Sequence, residues 1–145
     1  MNLSDFITDN GKRVNKEHFI HLIQVSRIDG KVSQSEIDLL HKQGKKFGIT
    51  DTEIDILIKS EFHHHYDPPY SLHDKFDQLY NIAEMILSDG EITDSEIRAV
   101  KRYAIAAGFN DKHIDGLIDL ILNGIKNNQT EDSLLSEFKN IIFKD

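Results

Sequence analysis

Apolar residues recur along this chain at intervals of three and four, the spacing that gathers them on one face of an α-helix. Phe19, Leu22 and Ile23 mark a first face, Ile37, Leu40 and Phe47 a second, and Ile54, Leu57, Ile58 and Phe62 a third. Phe76, Leu79, Tyr80, Ala83 and Ile86 mark a fourth, and Ile97, Val100, Ala104 and Ala107 a fifth. Ile114, Leu117, Ile118, Ile121 and Leu122 follow, and Leu134, Leu135, Phe138, Ile141 and Ile142 close the pattern. No stretch shows the two-residue alternation of a half-buried strand. The pattern predicts an all-α fold, a compact bundle of seven to eight helices.

Polar punctuation agrees with these limits. Ser33 with Glu36, Thr50 with Glu53, and Thr93 with Glu96 have the spacing of a capping box. In that motif the hydroxyl accepts from an orphan amide while the carboxylate reaches back to the cap. Ser71 and Asn110 read as simpler N-caps. Gly30, Gly48, Gly90 and Gly108 each follow a helical stretch, where a left-handed residue is wanted. The run YDPPYS, residues 66–71, holds two prolines and breaks the helical pattern.

That break separates two similar units. Moving the chain by sixty positions aligns Asp29 with Asp89, Gly30 with Gly90, Glu36 with Glu96, Gly48 with Gly108 and Ile58 with Ile118, without a gap. Such a register points to internal duplication. One domain over 1–145 is expected, from two pseudo-symmetric three-helix repeats, about 16–62 and 72–125. The Pro-Pro linker at 66–71 joins them, and a last helix over about 131–143 completes the core. The helix containing HIDGLIDLILNGI carries apolar residues on more than one face, which predicts a central helix or an interface around Ile118.

The two repeated turns, RIDGKVSQSE and LSDGEITDSE, match the second half of a calcium-binding EF-hand loop. Calcium needs about six to eight oxygens, several from the first half of that loop. Here Val25 and Arg27 occupy the first and third loop positions, and Met85 and Leu87 occupy them in the second copy. None supplies an oxygen for a hard cation, so a standard EF-hand is rejected. Helix punctuation explains most of the motif: a glycine turn, an inward Val32 or Ile92, and a capped helix start. Asp29 and Asp89 are required by neither cap, and Asp89, Glu91, Asp94 and Glu96 crowd the second copy. Asp89, Glu91, Asp94, Glu96, Asp29 and Glu36 are therefore candidates for a weak, partly hydrated Ca²⁺ or Mg²⁺ site, or for a surface that docks a basic partner.

The formal charge of −8 opposes the phosphate backbone, so nucleic acid is not expected as a partner. Cysteine is absent, which removes disulfides and thiolate metal sites. No apolar run approaches the roughly 20 residues of a membrane span, and MNLSDFITDNGKR has no apolar signal core. A cytoplasmic protein is expected. There is no G-x-S-x-G and no phosphate-binding glycine loop, and no nucleophile constellation stands out, so an enzyme is not expected.

The duplicated unit, carried by RIDGKVSQSEI, LSDGEITDSEI, Gly48 and Gly108, resembles the TerB-like domain family over about residues 16–125. TerB belongs to bacterial tellurite-resistance and stress-response operons, and a related domain precedes the J-domain of a membrane-anchored DnaJ-like co-chaperone. The resemblance implies a non-enzymatic helical module for stress response or an accessory role, with acids that meet a metal or a protein partner. Carried over residue by residue, those acids are Asp29, Glu36, Asp89 and Glu96. Gln24 stands where the second copy has Glu84, which makes the first site the weaker one. No J-domain occurs in these residues, so no co-chaperone activity is expected. The alternative is a structural interaction module that dimerises through the apolar helix near Ile118.

Two histidine groups remain. His63, His64, His65 and His73 predict an exposed linker, or an opportunistic transition-metal binder. His18 and His21 share one helix face, where a solvated pair is expected.

Overall fold

The computed structural model describes residues 6–7, 13–14, 16–26, 33–61, 64–87 and 92–143. Seven helices account for most of them: α1 (Lys16–Ser26), α2 (Gln34–Lys45), α3 (Asp51–Glu61), α4 (Leu72–Leu87), α5 (Asp94–Ala106), α6 (Asp111–Lys126) and α7 (Glu131–Ile142). Strands β1 (Phe6–Ile7) and β2 (Arg13–Val14) form a small antiparallel ribbon, Phe6 opposite Val14. Two residues per strand are too few to show an alternation, which is why the periodicity misses them.

The helix ends follow local chemistry. The Glu36 amide donates to Ser33 Oγ at 3.3 Å, and the Glu53 amide to Thr50 Oγ1 at 3.2 Å. Ser71 and Asn110 accept from the amides of Asp74 and Lys112, both at 3.1 Å. Each such cap is worth about 1 kcal/mol. Gly48 (φ 77°) and Gly108 (φ 91°) take the left-handed conformation after α2 and α5. Two more ends follow the same rules: Thr130 caps α7, and Asn128 (φ 57°) takes the left-handed turn after α6. Gly30 and Gly90 lie outside the described residues.

Helices α1, α2 and α3 pack on one another, as do α4, α5 and α6. Helix α7 lies over α4 and α6, and α5 also meets α1 and α2. The central element is α4: Phe76, Leu79, Tyr80 and every residue from 81 to 87 are buried. Helices α1, α5, α6 and α7 surround it. Helix α6 joins the core as expected, but by one stripe rather than all round. That helix buries one stripe, Ile114, Leu117, Ile118 and Ile121, and exposes Asp115, Gly116, Asp119 and Asn123. Ile118 is 2% exposed inside the bundle, so the apolar stripe of α6 is already covered.

Two helical glycines allow close approach. A Cβ on Gly44 would meet Ile54 at 2.7 Å and Phe19 at 2.9 Å, and one on Gly124 would overlap Leu134.

Candidate functional site

The acids singled out in the sequence divide three ways. Asp29, Asp89 and Glu91 lie outside the described residues. Asp94 is the exposed first residue of α5. Glu36 and Glu96 lie on the seam where α2 meets α5, each engaged twice.

Glu96 closes the capping box of its own helix: the Thr93 amide donates to Oε1 at 2.9 Å, and the Glu96 amide donates to Thr93 Oγ1 at 3.1 Å. Its other oxygen, Oε2, meets Lys42 Nζ of α2 at 3.4 Å. The Glu96 side chain is only 2% exposed, so a buried carboxylate is held by a cap on one side and a cation on the other. Glu36 repeats the arrangement in reverse. Its Oε1 accepts from Ser33 Oγ at 3.2 Å, and its Oε2 accepts from Arg102 Nη1 of α5 at 2.6 Å. The two pairs make α2 and α5 pass antiparallel and put Glu36 and Glu96 toward opposite ends of the seam. Among the described residues, no three His, Asp or Glu side chains stand together as a metal site. Gln24 and Glu84 also differ in setting. Gln24 donates to Glu61 at 3.0 Å, whereas Glu84 is buried in α4 and accepts from Tyr80 at 2.7 Å.

Beside this seam lies a cavity of about 130 Å³. Leu22, Val25, Leu39, Leu40 and Ala99 give it apolar walls, and Ser33, Ser35, Ser95, Glu36, Arg98 and Arg102 give it a polar rim. It sits between the end of α1, the start of α2 and one face of α5, so the flanks of the first Asp-Gly turn help to frame it. Val25 and Ser26 border the cavity and are themselves buried, and the residues sixty positions on, Met85 and Ile86, are larger and also buried. The Ser26 hydroxyl donates to the Ile23 carbonyl at 2.7 Å, so its hydrogen bond stays within α1.

The rim is polarised. Arg102 is matched by Glu36, but Arg98 makes only a 3.2 Å bond to Ser95 Oγ and joins no ion pair among the described residues. Among the described lining residues, two guanidinium groups stand with one carboxylate, although the chain as a whole carries −8.

Outside this site, His41 of α2 bridges two acids of α3. Its Nδ1 lies 2.7 Å from Asp51 and its Nε2 2.8 Å from Asp55. Burial alone would lower the His41 pKa, but hydrogen bonds and charge from Asp51 and Asp55 outweigh it, and the net shift is upward. The Asp51 carboxyl is held below its usual range by the hydrogen bond to His41, with Lys45 at 3.1 Å adding to the effect.

The expected solvated pair of His18 and His21 is corrected. The His18 Nε2 meets the Asn81 amide nitrogen at 3.1 Å. His21 packs edge-on against Tyr66, 5.3 Å between ring centroids, and burial lowers its pKa against the opposing charge of Glu17. The linker is likewise only partly open. His64, His65, Asp67 and Pro68 are exposed, but Tyr66 turns inward. Its hydroxyl donates to Gln78 at 2.7 Å, and its ring lies 5.1 Å from that of Tyr103. Burial raises the pKa of both tyrosines. His64 pairs with Glu61 and His73 with Asp74, and His63 lies outside the described residues.

Neither the cavity nor the inward Tyr66 was expected from the sequence. In the sequence, Val25-Ser26 stands sixty positions before the larger Met85-Ile86, and that difference in size drew no expectation of a cavity. No protein-family model, no characterised protein and no solved structure matches this chain.

Proposed function

We propose that this chain is a TerB-like, non-enzymatic accessory module of the cytoplasm, and that it works by docking a protein partner at the cavity between α1, α2 and α5. The observation that carries the reading is the cavity itself: apolar walls, a charged rim, and room for about one large side chain. Interfaces of this kind draw most of their affinity from a few anchor residues seated in desolvated pockets. The reading also takes the fold as a duplicated unit. Supporting it are the matched caps Ser33 and Thr93, the matched left-handed Gly48 and Gly108, and the reciprocal pairs Glu36–Arg102 and Glu96–Lys42.

The test is a peptide-display selection on the full chain and on two cavity-filled variants, Ser26→Ile and Ala99→Leu. Sequences with a large apolar anchor should enrich on the wild type and fail to enrich on either variant. Equal enrichment on all three proteins would refute the assignment.

A further inference from the structure

We infer that the cavity selects a partner segment in which one large apolar side chain stands next to a carboxylate, and that Arg98 is the residue that recognises the carboxylate. The inference rests on the docking reading and adds the chemistry of the partner.

Size comes first. An apolar cavity of about 150 Å³ holds a benzene ring, so about 130 Å³ suits a single leucine or phenylalanine side chain. It does not suit a folded loop or a long acyl chain. Leu22, Val25, Leu39 and Ala99 supply the apolar contact.

Charge then decides what flanks that side chain. Arg102 is already satisfied by Glu36 at 2.6 Å. Arg98 is exposed and, among the described residues, bonds only Ser95, so most of its five donors remain for an incoming group. A guanidinium fork matches a carboxylate with two parallel hydrogen bonds, and such charge-assisted bonds are stronger than neutral ones. On the same rim the Ser33 hydroxyl is taken up by Glu36 and lies 3.0 Å from that of Ser35, so Arg98 is the donor left for an incoming carboxylate. A basic segment would meet Arg98, which has no ion pair among the described residues, and be repelled. The preferred partner therefore has the opposite charge to the one the acidic turns suggest. The position sixty residues before Arg98 is Asp38, so the first unit presents no such cation there.

The test uses full-length protein and fluorescein-labelled Gly-Ser peptides with a central Glu-Phe-Glu, Lys-Phe-Lys or Glu-Ala-Glu, read by fluorescence anisotropy. Glu-Phe-Glu should bind at least about tenfold more tightly than either control, a difference well resolved in dissociation constants. Arg98→Gln should remove the preference for acid over base, and Arg98→Glu should reverse it; circular dichroism checks that both variants fold. If the preference survives in both Arg98 variants, the inference is wrong while the docking reading stands. If Ser26→Ile and Ala99→Leu bind Glu-Phe-Glu like the wild type, the docking reading fails as well. If 3-phenylpropionate competes as well as the peptide, the site takes a free small carboxylate and the partner-segment assignment is overturned. If no peptide binds the wild type, both fall.

Discussion

Gly116 and Gly124 lie two turns apart on α6, and the same change to alanine should move stability in opposite directions. In a helix interior alanine is favoured over glycine by about 1 kcal/mol. A Cβ at Gly116 would meet nothing within 4 Å, so Gly116→Ala should realise that gain in full. At Gly124 the new methyl would overlap both Leu134 methyl groups and lie 2.9 Å from its Cγ. A Leu134 rotamer change moves the methyls but leaves Cγ almost where it is, and Leu134 is completely buried. Overpacking of this kind costs about 1–3 kcal/mol. The overlap reaches the branch atom, so the upper part of that range applies and exceeds the propensity gain. Gly124→Ala should therefore destabilise by about 1–2 kcal/mol and lower the melting temperature by roughly 3–7 °C. Urea unfolding followed by helical circular dichroism would measure both variants, with an unchanged m-value required for the comparison. Leu134→Val should recover part of the Gly124→Ala loss, because the two sites touch. If Gly124→Ala raises stability as Gly116→Ala does, the close packing of α6 on α7 is not as described.

The Glu36–Arg102 pair is partly exposed, so a double-mutant cycle with Glu36→Gln and Arg102→Met should give a coupling of only about 1 kcal/mol, weakening as salt is raised. His41 has a raised pKa, so its contribution is complete below the unfolded value of 6.5 and is lost as pH rises through the folded value. The stability difference between wild type and His41→Gln should shrink across that window; a constant difference from mildly acidic to mildly alkaline pH would refute the clamp. His21 is shifted the other way and acts in the opposite sense in both proteins, so the comparison cancels it. Tyr66→Phe should cost about 1 kcal/mol, because Gln78 keeps its bond from Tyr103. Tyr66→Ala also loses the ring contact, and limited proteolysis should then cut the 66–71 linker faster; an unchanged cleavage rate would mean that Tyr66 does not hold it.

What could be read in the sequence is what short-range chemistry determines. A hydroxyl three residues before a glutamate identifies Ser33, Thr50 and Thr93 as caps, because the atoms that satisfy them lie within one turn. The apolar period likewise places all seven helices. Ile37 and Ile97 fall on the predicted faces yet stay only half-buried, because periodicity gives a stripe but not its depth. The centrality of α4 depends on four helices that arrive from both sides in sequence, and no window along the chain contains them. The acidic motif shows the same limit at atomic scale. A glutamate at the third position of a helix serves equally well as a cap or as a ligand. Only Arg102 and Lys42, 66 and 54 residues away along the chain, reveal what occupies Glu36 and Glu96. Tyr66 was hidden in the same way, since an aromatic residue beside two prolines looks like linker until Gln78 and Tyr103 are brought to it.

Sixty positions apart, Ser33 and Thr93 cap helices and Gly48 and Gly108 take left-handed turns, whereas Val25-Ser26 and Met85-Ile86 differ in size. Met85 and Ile86 fill the helix at the centre of the fold, where a void would weaken packing against several neighbours at once. Val25 and Ser26 stand at the end of α1, where the same void opens beside the seam. Glu36–Arg102 and Glu96–Lys42 tie α2 to α5 toward both ends of that seam. Ties of this kind do little for net stability, because desolvation offsets much of the attraction. Among the described residues, that space is bordered by Arg98, which joins no ion pair there, and by the Glu36–Arg102 pair.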